Sequence, residues 1–372
     1  MADTTTGILK CVSKRQFAVR TADRSYRQGP GEVMVHPDLN RRLVLTEGAA
    51  VTGQVERKRG ESRLVSIETL GGMSPEDFLK RPRFSDLVAI DPHERFDLGA
   101  CGLDSMRIVD LIAPIGRGTR QLIVSPSKAG KTIILEQTVR AIRHCSPQSR
   151  IIVLLVDERP EEVTHFRRAV EGTEVVASTN DHDADEHAEL AELILAHVQT
   201  ELECGHEVVL LIDSLTRLGR AFNSRTRRRD AKRRQTMSGG LEAGVLEVPR
   251  RLFGLARNIE NGGSVTIIAT CLIDTGSRMD QLIFEEFKGT GNSEIVLDQS
   301  LAEARIFPAI NIPASGTRKE AKLYSLDQTS GLATLRRVLA NYGAREAMDS
   351  LFKLLRKYPN NKEFLESMCP RN

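Results

Sequence analysis

Nowhere in this chain do apolar residues run on for the ~18 positions that a membrane-spanning helix needs, so no such span is expected. The stretch from Met1 to Lys10 is polar and threonine-rich, without the basic segment and apolar run of a secretory leader. Six cysteines are scattered singly with no CxxC pair, which argues against both a disulfide framework and a thiolate metal centre. Charge of one sign is scarce too. A net +3 over 372 residues does not by itself announce a nucleic-acid partner, so any such signal must come from local clustering. With no internal repeat either, the expectation is a reduced, cytoplasmic globular protein that makes no membrane contact.

What is present divides in two. Between residues 7 and 70, short segments rich in β-branched and apolar residues (Phe17 to Val19, Val33 to Val35, Leu43 to Leu45, Val51 to Val55, Leu64 to Ile67) are punctuated by glycines. Five short strands predict a small OB-fold-like barrel over residues 1–75. Pro75, Pro82 and Pro92 then mark a linker over 76–95. From 96 to 372 continuous apolar runs, Leu122 to Val124, Ile151 to Val156, Val208 to Ile212 and Val265 to Ala269, alternate with helical stretches. Runs apolar on both faces are what buried parallel strands need, so an α/β domain with a central parallel sheet and a helical carboxyl-terminal end is expected.

The first apolar run leads into Ser125-Pro126-Ser127-Lys128-Ala129-Gly130-Lys131-Thr132, followed by a helical stretch beginning at Ile133. A loop in that place offers free N–H groups to phosphates; Lys131 would contact the outer phosphates of ATP and the Thr132 hydroxyl would bind Mg²⁺. Ser125 stands where the usual pattern has glycine. A second run ends in Asp213, placed to hold Mg²⁺ through water rather than merely to cap the next helix. A third ends in Asp157-Glu158-Arg159-Pro160, where Glu158 could activate water while Glu161 and Glu162 suit a helix start. Asp181 to His187 has metal-ligand residue types, but its spacing reads as a loop and helix N-terminus.

The strings PIGRGTRQLIVSPSKAGKT, LLVDERPEEVTHFRR, DSLTRLGRAFN, GLARNIENGGSVTIIAT, LIDTGSRMDQLIFEEFKGTGN, RIFPAIN and SGTRKE are similar, in order, to the motor domain of the Rho family of bacterial termination factors, RecA-like ATPases. Chain segments from Arg107 to Lys322 carry the resemblance. It implies nucleotide contacts from Ser127, Lys128, Ala129, Gly130, Lys131, Thr132 and Ile133, with Arg159 and Arg217 beside them and Phe307 stacking on adenine. Arg318 would be an arginine finger acting on a neighbouring subunit's nucleotide, and Arg305 an interface residue. The implied assembly is a homohexamer that moves on single-stranded RNA near RNA polymerase, with Arg278 and Lys288 facing RNA in the channel.

Two regions depart from the family's pattern. SRTRRRDAKRRQ carries seven basic residues against Asp230, and the segment Arg225 to Arg234, including Arg233 and Arg234, is expected to grip RNA phosphates in the channel; Gln235 replaces a basic residue. In the barrel, Phe17 is the one aromatic in RQFAVR, displaced to the other sheet face, and Met34 stands for tyrosine. Phe17 and Arg20 are still the RNA-facing residues expected there. A rotary ATP synthase subunit would share the core but not SGTRKE. A relative that binds RNA as a regulator with little motor activity is the remaining alternative.

Overall fold

The computed structural model describes residues 3–14, 16–58, 60–229 and 240–369. Strands β1 (Asp3–Ser13), β2 (Gln16–Arg20), β3 (Val33–Val35), β4 (Ala50–Lys58) and β5 (Glu61–Leu70), with helix α1 (Pro37–Arg42), close into a barrel in the order β1-β2-β3-β5-β4. Leu9, Phe17, Val19, Val35, Val51, Val55 and Leu64 fill its interior. One expected strand is misplaced: Leu43 to Leu45 follows α1 as irregular chain, with Val44 70% exposed, because Pro37 at the first helical turn commits the preceding residues to α1. The fifth strand is instead β1, whose polar DTTTG start hides a ladder pairing with both β2 and β4.

The segment read as a linker is built into both halves. Helix α2 (Pro75–Lys80) plugs the barrel with Phe78, and β6 (Ala89–Ile90) joins the edge of the large sheet. Helix α3 (Asp104–Ile112) then leads into the repeating unit: β7 (Arg120–Ser125), α4 (Lys131–Cys145), β8 (Arg150–Glu158), α5 (Pro160–Ala169), β9 (Glu174–Thr179), α6 (Ala184–Glu203), β10 (Glu207–Asp213) and α7 (Leu215–Arg229). Beyond it come α8 (Glu247–Gly254), β11 (Arg257–Ile259), β12 (Ser264–Leu272), α9 (Arg278–Lys288), β13 (Ser293–Val296), α10 (Gln299–Glu303) and β14 (Gly316–Thr317). Helices α11 (Leu326–Leu339), α12 (Ala344–Leu355) and α13 (Asn361–Ser367) complete the described chain.

Among the described residues the large sheet runs β14-β13-β7-β12-β10-β8-β9, and every pairing from β13 to β9 is parallel. All strands of this parallel core therefore present their carboxyl ends at one edge, where ligands bind in open α/β sheets. The sheet is covered on both faces by separate apolar clusters, one including α3, α4 and α11 to α13, the other α6 to α9. No described helix is long and apolar enough to cross a membrane.

The barrel docks firmly on this domain. Ile8 and Tyr26 leave the barrel's interior to join the cluster under α6, and Tyr26 Oη donates to Glu174. Ser25 Oγ accepts from Ala177 N (2.9 Å) and Arg167 Nη2 (3.0 Å). Buried His197 donates from Nδ1 to Gly48 O (2.6 Å). Gly48 has φ 83°, and a Cβ there would lie 2.4 Å from the backbone of Ala196 and His197. Gly48→Ala must therefore bear a left-handed backbone costing ~1–2 kcal/mol as well as a clash that helix backbone cannot relieve. The expected outcome in urea is a barrel transition separated from, and below, that of the ATPase-like domain; a single unshifted transition would show that docking does not depend on this contact.

Candidate functional site

Strand β7 ends at buried Ser125, whose hydroxyl donates to Pro126 O (2.7 Å). The chain then passes through exposed Ser127 and Lys128 and buried Ala129 into α4. Lys128 (φ 63°) and Gly130 (φ 90°) have left-handed backbone, and Gly130 caps α4 with no side-chain bond to its first N–H groups. Those groups are thus free for an anion. A Cβ on residue 130 would also stand 3.3 Å from the Phe307 ring, so the glycine lets the ring lie against the loop.

Four charged side chains meet beside this loop. Lys131, the first residue of α4, contacts Asp213 and lies 3.5 Å from Glu158 Oε1. Each carboxylate ends a strand, Glu158 on β8 and Asp213 on β10, and both are buried. A slip in the β8–β9 register and φ 55° at Asp157 form a bulge that brings Glu158 into the cluster and leaves Asp157 half-exposed. Arg217, in the first turn of α7, reaches Glu158 Oε2 at 3.3 Å and donates to Asp157 O. Burial, followed by the Asp213 charge, pushes the Glu158 carboxyl up to about 7 against the opposing pull of Lys131 and Arg217.

Thr270 was not anticipated. It lies one step beyond the Ile212–Ala269 pair and donates its hydroxyl to Asp213 Oδ1 (2.8 Å), fixing the carboxylate's rotation. A hydroxyl near the end of the mostly apolar VTIIATC strand was the available signal. Thr132 stands half-exposed in the first turn of α4, Ile133 is 53% exposed and Phe307 42%. Arg159 caps α5, exposed and without an ion pair among the described residues. The fit to a magnesium nucleotide rests on this donor set. Lys131 turning towards a phosphate would leave Asp213 and Glu158 without a cation, the surroundings that a hydrated Mg²⁺ beside Thr132 suits, while the exposed Phe307 face suits a base.

Arg318 lies elsewhere. Its backbone N–H donates to Asn292 O (2.8 Å), and Asn292 is paired with Arg120, the first residue of β7. The phosphate loop follows the last residue of β7, so six residues of strand, roughly 20 Å at ~3.3 Å each, separate the exposed Arg318 from the loop of its own chain. Lys288 lines the same small cavity as Arg318, together with Asn292 and Glu294. It sits at the far end of α9 from Arg278. Exposed Arg305, at φ 59°, precedes Phe307.

The remaining expected RNA residues fare differently. Phe17 is packed in the barrel core, since strand alternation turns it inward with Val19, so it is withdrawn as a stacking platform. Arg20 is engaged by Glu32 (3.0 Å) and Tyr26 O (3.2 Å) and lines an open cavity beside the barrel. The expected basic channel segment begins as the end of α7, where Arg225 pairs with Asp185 and Glu192, Arg227 with Glu242 and Arg228 with Asp183. Arg233 and Arg234 lie outside the described residues. Asp183 also caps α6, forming a reciprocal capping box with Glu186.

Comparison with known proteins agrees with this geometry. The ATP synthase alpha/beta family, nucleotide-binding domain, matches residues 105–317. The transcription termination factor Rho of Streptomyces lividans is 45% identical over 366 residues, covering 96% of this chain and 51% of that protein. That of Mycobacterium tuberculosis is 45% identical, covering 96% and 60%, so the chain spans about half to three-fifths of the length of these relatives. The Rho of Cereibacter sphaeroides is 42% identical, with 97% of this chain and 86% of that protein covered. A solved type III secretion ATPase of pathogenic bacteria shares the fold at TM-score 0.64 and 22% identity, over 85% of this chain and 93% of that one. With Lys131, Glu158 and Asp213 gathered at the sheet edge and relatives aligned along nearly its whole length, the chain belongs to the transcription termination factor Rho family.

Proposed function

We propose that this protein hydrolyses magnesium ATP between neighbouring copies in a homohexameric ring and uses the cycle to move along single-stranded RNA. The observation that carries the reading is the separation of Arg318 from its own phosphate loop at opposite ends of β7. An arginine so placed suits a nucleotide held by another copy rather than its own. Single-stranded transcripts in the cytoplasm, at complexes containing RNA polymerase, are the proposed setting.

Lys131 leaves Asp213 to contact the outer phosphates, and the N–H groups at the start of α4 hold the phosphate chain. Thr132 and Asp213 would hold Mg²⁺, which when bound would supply charge neutralisation for the phosphates. Glu158 takes the proton of the attacking water, and Arg217 orients it from behind. Arg318 of a neighbouring copy neutralises charge that develops on the transferred phosphoryl group. Phe307 stacks on the adenine of the bound ATP.

Three outcomes test this reading. Lys131→Ala should weaken nucleotide binding ~10- to 100-fold, a charge-assisted contact being worth ~1.5–3 kcal/mol. Glu158→Gln should keep binding ATP while hydrolysis falls ~10²- to 10⁴-fold. In the unaltered protein, the rate should also fall as pH drops through about 7, because protonating the raised Glu158 carboxyl removes the base. Equal loss of ATP binding in both variants would contradict the division of labour between the lysine and the glutamate.

Arg318→Ala should lower turnover ~10³-fold or more without loss of ATP binding. Mixed with Lys131→Ala, it should regain activity, since some interfaces then pair an intact loop with an intact finger. No recovery over a range of mixing ratios would remove the finger's role across the interface.

The two aromatic rings of the barrel, Phe17 and Tyr26, are both buried, while Met34 lines an open cavity of 560 Å³ with Arg63. Base stacking contributes ~1–3 kcal/mol per base where it occurs, so its loss should leave oligocytidylate and oligoadenylate bound within a few-fold of each other. A strong cytidylate preference would show a platform rebuilt from other residues.

A further inference from the structure

Where the barrel meets the ATPase domain, a cavity of 510 Å³ opens between the chain leaving α2, one face of α6, and the α8–β11 junction. Four arginines line it, Arg81, Arg83, Arg251 and Arg257, against a single carboxylate, Glu203. That carboxylate is already engaged, by Arg81 Nε (3.0 Å) and by Phe84 N–H (3.2 Å). Arg83 and Arg251 are exposed and make no ion pair among the described residues. Arg257 is the least satisfied. Its guanidinium lies 4.1 Å over the Phe84 ring, one Nη2–H donates to Gly254 O (3.2 Å), and Nε is buried with no partner.

Positive charge brought together without counter-charge is costly to the fold. Burial and the nearby Arg120, whose own Nε is also buried without a partner, hold the Arg257 pKa below the usual arginine value. A phosphate placed among these groups would supply the missing acceptors, and the planar fork of arginine suits phosphate oxygens. Phe84, clamped between Glu203 and Arg257, keeps the guanidinium plane fixed.

We infer that this seam, separate from the nucleotide site, binds the phosphate backbone of single-stranded RNA on its way between the barrel and the ATPase ring. The inference rests on the proposed RNA-dependent function. The groove is polar, open and lies where the two parts of the chain meet, so a strand touching both can pass over it. It reads no bases: its donors are guanidinium groups, and its one ring is covered by Arg257. This gives the chain a phosphate-binding surface where its barrel lacks exposed aromatic rings.

The test uses full-length protein and a fluorescein-labelled oligouridylate, titrated across a salt series. Arg83→Ser combined with Arg251→Ser removes two exposed arginines outside the nucleotide site. Each single-strand phosphate contact contributes ~0.7 to the slope of log affinity against log salt, so the slope should flatten by ~1.4. ADP binding should be unchanged. Arg356→Ser with Lys357→Ser, an equal charge loss after α12 and outside the groove, should leave the slope near that of the parent protein. An unchanged slope in the groove variant, or an equal change in the control, overturns the inference. Failure of the parent protein to bind the oligonucleotide at all removes the RNA reading itself, a distinguishable result. A second arm titrates tripolyphosphate against Lys131→Ala protein with and without the groove substitutions: loss of tripolyphosphate binding with an unchanged RNA slope would assign the groove to small polyphosphates and overturn the strand reading.

Discussion

Two buried carboxylates and one ammonium at the edge of a parallel sheet set the terms for everything around them. Glu158 and Asp213 end neighbouring strands, and Lys131 comes from the helix that follows the next strand but one. Like charges this close, in surroundings poor in water, cannot both remain ionised without a cation. Lys131 and Arg217 provide it in the chain alone, and the raised Glu158 carboxyl records how nearly the balance tips. The phosphate loop, the bulge at Asp157 and the Thr270 hydroxyl all serve to hold this cluster at a place where a nucleotide and its metal can take over the lysine's part.

The same sheet underlies the proposed sharing of the site between copies. A parallel strand has two chemically different ends, and this chain puts its phosphate-binding groups at the carboxyl end of β7 and Arg318 at the amino end. In the proposed ring a second copy, its opposite edge facing the first, would bring them together. The segment around Arg318 is held by its own anchors: Lys319 and Lys322 bind Asp91, and Arg336 binds Glu320 and the Ser315 and Ile112 carbonyls. Asp91 follows β6, so the chain between barrel and sheet also touches the loop that carries the arginine.

Much of the α/β domain was legible because buried parallel strands impose continuous apolar runs and because chemistry sits where those runs stop. Lys131, Glu158 and Asp213 were visible for that reason. Arg217 and Phe307 were visible only through resemblance, since neither a helical arginine nor a loop phenylalanine has a local pattern of its own. Thr270 depended on strand register, which apolar runs do not specify. In the barrel, short strands leave little room for pattern: DTTTG reads as a polar terminus although it is half of β1, and LVL reads as a strand although α1 displaces it. Charge partners were not legible either. Arginines from Arg225 to Arg228 looked like an unattached basic run, but carboxylates far away in sequence, Glu192 and Glu242 among them, neutralise them on α7.

Nucleotide hydrolysis at this cluster should be tied to a nucleic-acid strand. Steady-state ATP hydrolysis by the purified full chain, measured with and without single-stranded oligouridylate and against double-stranded DNA as a control, tests that coupling most directly. Hydrolysis stimulated at least several-fold by the single strand and little by the duplex is the expected result. A rate that is the same with and without RNA would contradict it, leaving an ATPase fold whose nucleotide site is not coupled to RNA.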